Sequence, residues 1–241
     1  MSEDTNALRK PLADVREEIA KACERAGRKP EDVCLIAVSK TKPVSMMRDA
    51  IACGQTVFGE NKVQELCEKA EELADEDITL HLIGHLQKNK VRKAVAKAAM
   101  IHSVDSIELA AEIQKEAARI GKIQDILLEV NVAAEESKFG LTPDETAAVA
   151  EEISQMPNVH LCGLMTVAPY TEFPEENRVY FRQLRELAVD IESKKFNNID
   201  MYCLSMGMSN DFTIAVEEGA TFVRVGSRIF GERHYETEKG K

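Results

Sequence analysis

Two hydrophobic rhythms alternate along the chain, short apolar runs and longer stretches with an apolar residue at every third or fourth position. A short apolar run is typical of a buried strand, whereas the longer period is typical of a helix. The chain opens with a helical stretch over residues 8–26, which ends at Gly27. Eight apolar runs follow it. The predicted strands are residues 33–38, 56–58, 79–83, 100–103, 126–132, 160–163, 200–204 and 221–225.

Helical stretches separate these runs, so strands and helices alternate along the whole pattern. The predicted helices after the first are residues 44–53, 63–73, 88–99, 107–119, 143–155, 175–192 and 210–217. Apolar runs of this kind suit parallel strands that are covered on both faces. The pattern predicts the α/β class, as a (β/α)8 TIM-like barrel with an extra N-terminal helix in a single domain over residues 1–241. An open doubly wound sheet produces a similar pattern and is the alternative.

Composition and charge narrow the kinds of partner. The net charge is −11, which argues against a nucleic-acid partner because phosphate binding needs a basic face. The six cysteines form no C-x-x-C pair, which predicts buried inert thiols and gives no sign of a zinc site or redox dithiol. The polar, acidic N-terminus and the lack of a membrane-length apolar run predict a cytoplasmic protein with no membrane partner.

Polar residues that follow the first three strands are candidates for chemistry, because barrel active sites lie at the carboxyl ends of strands. Lys40 follows the first run, where burial would favour the neutral, nucleophilic amine; a surface lysine is the alternative. Asn61 follows the second run, as a ligand contact or only a helix cap. His81 and His85 have no third metal ligand in view, so His85 is predicted to face a ligand ring instead.

The loops after the seventh and eighth strands combine glycine with hydroxyl residues. Ser205 and Ser209 lie in the first of these loops, and Gly226 and Ser227 lie in the second. Such loops offer backbone N–H groups and hydroxyls to a phosphate, and barrels often bind phosphate at this place. Ordinary turn chemistry, with serine as a helix cap, is the alternative.

Arg224 lies inside an apolar strand, and a buried guanidinium needs a partner. Two partners fit equally well at this point. One is the ring nitrogen of a cofactor, and the other is a carboxylate of the chain such as Glu129.

Seen together, these segments resemble the pyridoxal phosphate homeostasis proteins, single-barrel relatives of the alanine racemase N-terminal domain. The similarity extends over nearly the whole chain. The segments that carry it are 38–43, 58–61 with Gln64, 81–90, 131–140, 163–165, 204–211, 224–226 and 230–231.

The resemblance implies that pyridoxal 5'-phosphate (PLP) is held as a Schiff base on Lys40. It also implies that Ser205, Ser209, Gly226 and Ser227 contribute to a phosphate cup, and that Arg224 faces the pyridine nitrogen. The remaining residues that the resemblance places in the pocket are Asn61, His85 and Met208.

A carrier is favoured over an enzyme for two reasons. An arginine at the ring nitrogen weakens the electron sink that PLP catalysis needs. Alanine racemase resolves this with a tyrosine from a further domain, and no tyrosine of this chain is predicted opposite Lys40. The expected function is that of a monomer that holds PLP and delivers it to PLP-dependent apoenzymes. An amino-acid racemase and a Schiff-base aldolase are the alternatives.

Overall fold

The frame of the molecule is a closed ring of eight parallel strands. The computed structural model describes residues 6–135 and 138–231. The strands are β1 (Cys34–Val38), β2 (Val57–Glu60), β3 (Thr79–Leu82), β4 (Met100–Val104), β5 (Gln124–Glu129), β6 (Val159–Met165), β7 (Ile199–Met208) and β8 (Phe222–Val225). Each strand pairs with the next, and β8 pairs back onto β1, with Cys34 opposite Phe222. The predicted barrel is therefore confirmed, and the open doubly wound sheet was wrong.

Helices cover the outside of the ring. They are α1 (Arg9–Arg25), α2 (Val44–Ala52), α3 (Val63–Glu72), α4 (Val91–Lys97), α5 (Ile107–Arg119), α6 (Pro143–Ile153), α7 (Arg178–Ser193), α8 (Phe212–Glu217) and α9 (Ser227–Phe230). The extra N-terminal helix is α1, whose apolar stripe, including Leu12, Val15 and Ile19, is buried. This stripe faces α8 and α9, so α1 supports the last two strand–helix units.

Three strands extend two or more residues beyond the predicted carboxyl ends of their apolar runs, and each extension reaches the upper end of the barrel. β2 continues to Glu60, β6 to Met165 and β7 to Met208. Glu60 completes its strand although it is acidic, because its side chain is buried and hydrogen-bonded. In β7, Gly207 has a φ of 86°, and an added Cβ there would lie 2.5 Å from the Ala215 side chain. Only glycine allows β7 to pass so close to α8.

Two predicted helices begin later than expected, because a 3-10 turn precedes each of them. The turn Lys88–Lys90 leads into α4, and the turn Pro174–Asn177 leads into α7. The short helix α9 was not predicted. No helix in the described ranges is long and apolar enough to cross a membrane. The single domain over residues 1–241 stays a prediction, since 17 of those residues lie outside the described ranges.

The interior of the barrel changes character from one end to the other. An apolar layer crosses its middle, made by Met100, Leu127, Cys162, Met165 and Cys203. Buried polar groups occupy the carboxyl half of the ring, among them His102, Ser205 and Arg224. Buried polar groups need hydrogen-bond partners. The hydrogen bonds of these residues are therefore the first place to look for a functional site.

Candidate functional site

A cavity of about 620 Å³ opens at the carboxyl ends of the strands. It is lined by Val38, Lys40, Lys42, Asn61, Ile83, Val167, Tyr170, Met208, Ser209, Asn210, Arg224, Gly226, Ser227 and Gly231. Seven of the nine predicted site residues therefore line this one cavity. The other two, His85 and Ser205, do not line it. The volume lies within the range usual for small-molecule sites.

A buried ion pair fixes the backbone on the amino side of Lys40. The Lys69 ammonium donates to the Ser39 carbonyl oxygen at 2.7 Å and to Oε1 of Glu60 at 2.7 Å. The Ser39 hydroxyl donates to the same carboxylate oxygen at 2.6 Å. Burial raises the pKa of Glu60, whereas the hydrogen bonds from Lys69 and Ser39 oppose that rise. The end of β1, and with it Lys40, is thereby tied to β2 and α3.

The backbone on the other side of Lys40 is held as well. The Thr41 N–H donates to the Glu65 carboxylate at 2.7 Å, and Thr41 has a φ of 63°. Few residues other than glycine adopt this conformation, so the hydrogen bond helps to stabilise it. Lys42 also lines the cavity, and its ammonium donates to the carbonyl oxygen of Phe230 at 2.9 Å. Lys40 therefore sits on a loop whose neighbours are fixed on both sides.

Arg224 is 4% exposed and forms part of the cavity wall. Its Nη1 donates to the Ser205 hydroxyl oxygen at 2.6 Å, and its Nη2 donates to the Thr166 carbonyl oxygen at 2.7 Å. Within residues 6–135 and 138–231, neither bond goes to a carboxylate, and Nε has no hydrogen-bond partner. The Nε–H group therefore has no acceptor among the described residues.

The charge of Arg224 is balanced at a distance. Burial lowers its pKa to about 10, an effect that the carboxylates of Asp211 and Glu129 oppose. The guanidinium therefore keeps its proton at neutral pH. Burial, with help from Asp105, raises the pKa of Glu129 to about 7, while Arg224 opposes the rise. Glu129 acts on Arg224 through space, whereas the direct ion pair considered from the sequence is not among the described contacts.

A chain of buried side chains continues from Arg224 into the barrel. The Ser205 hydroxyl lies 2.9 Å from Nδ1 of His102, and Nε2 of His102 lies 2.9 Å from Nδ1 of His81. Since Arg224 donates to Ser205, each of these contacts joins one donor to one acceptor when Ser205 donates to His102 and His102 donates to His81. Ser205 is completely buried and accepts from Arg224, and its predicted contribution to a phosphate cup remains a prediction.

Both of these histidines are neutral near pH 7. Burial lowers the pKa of His81 to about 4 and lowers that of His102 well below its usual value. The unfolded chain therefore binds more protons than the folded chain between about pH 6.5 and pH 4, and stability falls as the pH falls through that window. We expect His81 alone to contribute a loss on the order of 3 kcal/mol.

Urea unfolding at pH 7 and pH 5 measures this effect. His81→Gln is expected to make the pH dependence shallower, while His85→Gln, a change at a half-exposed histidine, is the matched control. An equally steep dependence in the His81→Gln variant would contradict the assignment.

The turns after β7 and β8 meet at one corner of the cavity. The Gly226 N–H donates to the Ser209 hydroxyl at 3.3 Å, a long bond between the two turns. Gly226 immediately precedes α9, whose first residue is Ser227. The first N–H groups of a helix have no partner within it, so this corner offers several donors to an anion. The structure therefore brings Ser209, Gly226 and Ser227 of the two predicted loops to the cavity, whereas Ser205 does not line it.

His85 lies outside this wall because β3 ends three residues before it, at Leu82. Its ring stacks on Phe139 with a centroid separation of 3.9 Å, and its Nδ1 lies 3.4 Å from the Asp105 carboxylate. The residue of that loop that lines the cavity is Ile83. His85 thus contacts the loop after β5, and its predicted contact with a ligand ring remains a prediction.

Seven lining residues were not among the predicted site residues: Val38, Lys42, Ile83, Val167, Tyr170, Asn210 and Gly231. Tyr170 is 87% exposed and lies in the connection between β6 and α7. The connection has no regular secondary structure at Tyr170, so the sequence pattern could not predict where this side chain lies. Lys42 and Asn210, by contrast, each lie within two residues of a predicted site residue, so proximity in sequence was a usable signal.

Comparisons with known proteins identify the family of this chain. The alanine racemase N-terminal domain family matches residues 12–234. A pyridoxal phosphate homeostasis protein of Aquifex aeolicus is 48% identical over 224 residues, covering 93% of this chain and 97% of that protein. The chain belongs to the pyridoxal phosphate homeostasis proteins. The human pyridoxal phosphate homeostasis protein is 41% identical, with 93% of this chain and 86% of that protein covered.

Two solved structures superpose on the barrel of this chain. PipY of Synechococcus elongatus, solved with PLP bound, superposes with a TM-score of 0.81 at 38% identity, covering 93% of this chain and all of that one. An alanine racemase of Clostridium difficile has a TM-score of 0.70 at 16% identity, and this chain covers 61% of it. The second likeness establishes the shared barrel fold and nothing more.

Proposed function

We propose that this pyridoxal phosphate homeostasis protein holds PLP as a Schiff base on Lys40 and delivers it to PLP-dependent apoenzymes in the cytoplasm. One observation carries the proposal. An amine, Lys40, a guanidinium, Arg224, and the Ser209–Gly226 turns line the same cavity. The names of the relatives and the PLP-bound PipY structure support the same ligand.

The donor set of the cavity matches the three polar parts of PLP. Lys40 supplies a primary amine for the aldehyde. The Nε–H of Arg224 suits an unprotonated ring nitrogen, since it donates a hydrogen bond and keeps its own proton. Ser209, Gly226 and Ser227 supply hydroxyl and N–H groups to the phosphate. Asn61 and Met208 complete the wall, and the charge of Lys42 adds to the attraction for an anion.

The same geometry favours a carrier over a catalyst. When bound, PLP supplies an electrophilic aldehyde and an electron-withdrawing ring. Arg224 keeps its proton at neutral pH, so the ring nitrogen opposite it stays unprotonated and withdraws electrons less strongly. Tyr170 is the tyrosine that lines the cavity within the described residues, and its large exposure leaves it poorly placed as a buried proton-transfer group.

Spectroscopy with peptide mapping tests the binding proposal. The protein mixed with one equivalent of PLP is expected to absorb in the visible and to lose that absorption on borohydride reduction. Digestion should then locate the reduced adduct on the peptide that contains Lys40. An adduct spread over several surface lysines would contradict a dedicated site.

Two further measurements separate carriage from catalysis. In the first, a PLP-dependent apoenzyme is mixed with the PLP-loaded protein and its restored activity is measured. This activity is expected to exceed that obtained with PLP-loaded bovine albumin. Exchange of the α-proton of alanine for deuterium should stay at the rate given by free PLP. Exchange well above that rate, lost in Tyr170→Phe, would instead favour a racemase.

A further inference from the structure

A second group of metal-type donors lies at the other end of the barrel, away from the cavity. Asp125 near the start of β5 and His160 near the start of β6 are direct neighbours in the register of the sheet. Cys162 follows His160 by two residues along β6, and the two side chains are in contact. One donor atom from each of the three lies within 4.8 Å of the other two.

The three donors converge on a single ring nitrogen. Nδ1 of His160 lies 3.0 Å from Oδ1 of Asp125 and 3.3 Å from Sγ of Cys162. Tetrahedral zinc sites, with bonds of about 2.0 to 2.3 Å, separate such donors by about 3.3 to 3.6 Å. The present distances are a few tenths of an ångström shorter, so small side-chain rotations would admit an ion between them.

The other nitrogen of His160 is held as metal-bound histidines usually are. Nε2 lies 2.8 Å from Oδ2 of Asp200, at the start of β7. Metal-ligating histidines commonly donate this second N–H to a carboxylate, which fixes the tautomer and leaves the first nitrogen free to bind. Asp200 is thus a positioning residue, distinct from the three donors.

One side of the three-donor cluster is buried and the other is exposed to solvent. Cys162 is fully buried beside Cys203 and Met100, whereas the Asp125 side chain is 43% exposed and that of Asp200 is 62% exposed. An ion at the centre would therefore keep a water ligand on the solvent side. Thiolate and imidazole donors favour zinc over magnesium or calcium.

We propose that Asp125, His160 and Cys162 form a Zn²⁺ site at the amino ends of β5 and β6, with Asp200 positioning His160. On binding, the Cys162 S–H bond and the His160 Nδ1–H bond that faces Asp125 both break, and the two protons pass to solvent. Sulfur–zinc and nitrogen–zinc bonds form with no change of oxidation state. A water completes the tetrahedron. The ion ties β5 to β6 at the face of the barrel where residues serve stability, and it takes no part in the cofactor cavity.

Cobalt and zinc binding to the full chain, without added PLP, test the site. One equivalent of Co²⁺ is expected to give the intense near-ultraviolet band of a thiolate–cobalt bond, and one equivalent of Zn²⁺ should displace it. Cys162→Ala and, as a second variant, Asp125→Asn should lose the band or weaken metal binding, with folding checked by circular dichroism. Asp200→Asn is expected to weaken Zn²⁺ binding by about 10- to 100-fold.

Cys203→Ala is the matched control, because Cys203 is a buried cysteine of the same apolar layer and is not one of the clustered donors. It should leave the band and the stoichiometry unchanged. The proposal is overturned if the wild-type chain gives no thiolate band with Co²⁺. It is also overturned if Cys162→Ala binds Zn²⁺ as tightly as the wild type, which would assign binding to other residues. In that case His160 serves only as an ion-pair partner of Asp125 and Asp200.

Discussion

Lys40→Ala is expected to abolish the visible absorption of the PLP-loaded protein and to leave no borohydride-reducible adduct. Lys40 is the lysine that follows β1 directly into the cavity, and Ser39 and Thr41 on either side of it are fixed by hydrogen bonds. A fixed amine forms a carbon–nitrogen bond with less loss of conformational freedom than a mobile one. Equilibrium dialysis should show PLP affinity weakened at least about tenfold, or about 1.4 kcal/mol.

Lys42→Ala provides the matched control for this result. Lys42 lines the same cavity two residues further on, but its ammonium donates to the Phe230 and Gly231 carbonyl oxygens. Its removal should reduce the attraction for the phosphate while leaving the visible absorption and the Lys40 adduct in place. An adduct that persists in Lys40→Ala and disappears in Lys42→Ala would reverse the assignment.

The barrel and half of the residues that line the cavity were predictable, because both depend on local patterns. An apolar run followed by a polar residue indicates the end of a buried strand, and in a barrel all such ends meet on one face. Lys40, Asn61 and Gly226 were found in this way, and the structure brings them to the same cavity. His85 does not line that cavity: β3 ends at Leu82, and the His85 ring stacks on Phe139, so its predicted contact with a ligand stays a prediction.

Contacts between strands could not be predicted, because they depend on register and bulges. Ser205 alternates with Met206 along β7, and the sequence does not tell which of the two faces the ligand. The zinc donors are a second example, since 35 residues separate Asp125 from His160 and adjacent strands bring them together. Burial of Glu60 is a third, because an acidic residue is expected at the surface until its partner Lys69 is known.

The Glu60–Lys69 pair is where the largest loss of stability is expected. The side chains of Glu60 and Lys69 are 0% and 7% exposed, and Lys69 also holds the Ser39 carbonyl oxygen. Lys69→Met would leave a buried carboxylate without its counter-charge, which typically costs about 3–5 kcal/mol. Urea unfolding at pH 8 should show this loss. Lys97→Met, which breaks the exposed pair with Glu71, should cost no more than about 1 kcal/mol.

The loss in Lys69→Met should also depend on pH in a direction opposite to that of His81. Burial already raises the pKa of Glu60 in the folded chain, and removing Lys69 takes away a group that opposes the rise. The folded variant therefore binds a proton more tightly than the unfolded chain, so its stability decreases as the pH rises above the unfolded value of about 4.3. At pH 5 the variant should regain part of what it loses at pH 8.

The double variant Glu60→Gln, Lys69→Met separates charge from packing. With no buried carboxylate left to ionise, it should be more stable at pH 8 than Lys69→Met alone and should lose the added pH dependence. Because Ser39 would still lack its Lys69 contact, we expect the double variant to retain a weakened Lys40 adduct. Equal stability of the single variant at pH 5 and pH 8 would mean that Glu60 ionises as readily in the folded variant as in the unfolded chain, and would contradict a raised pKa of the buried carboxylate.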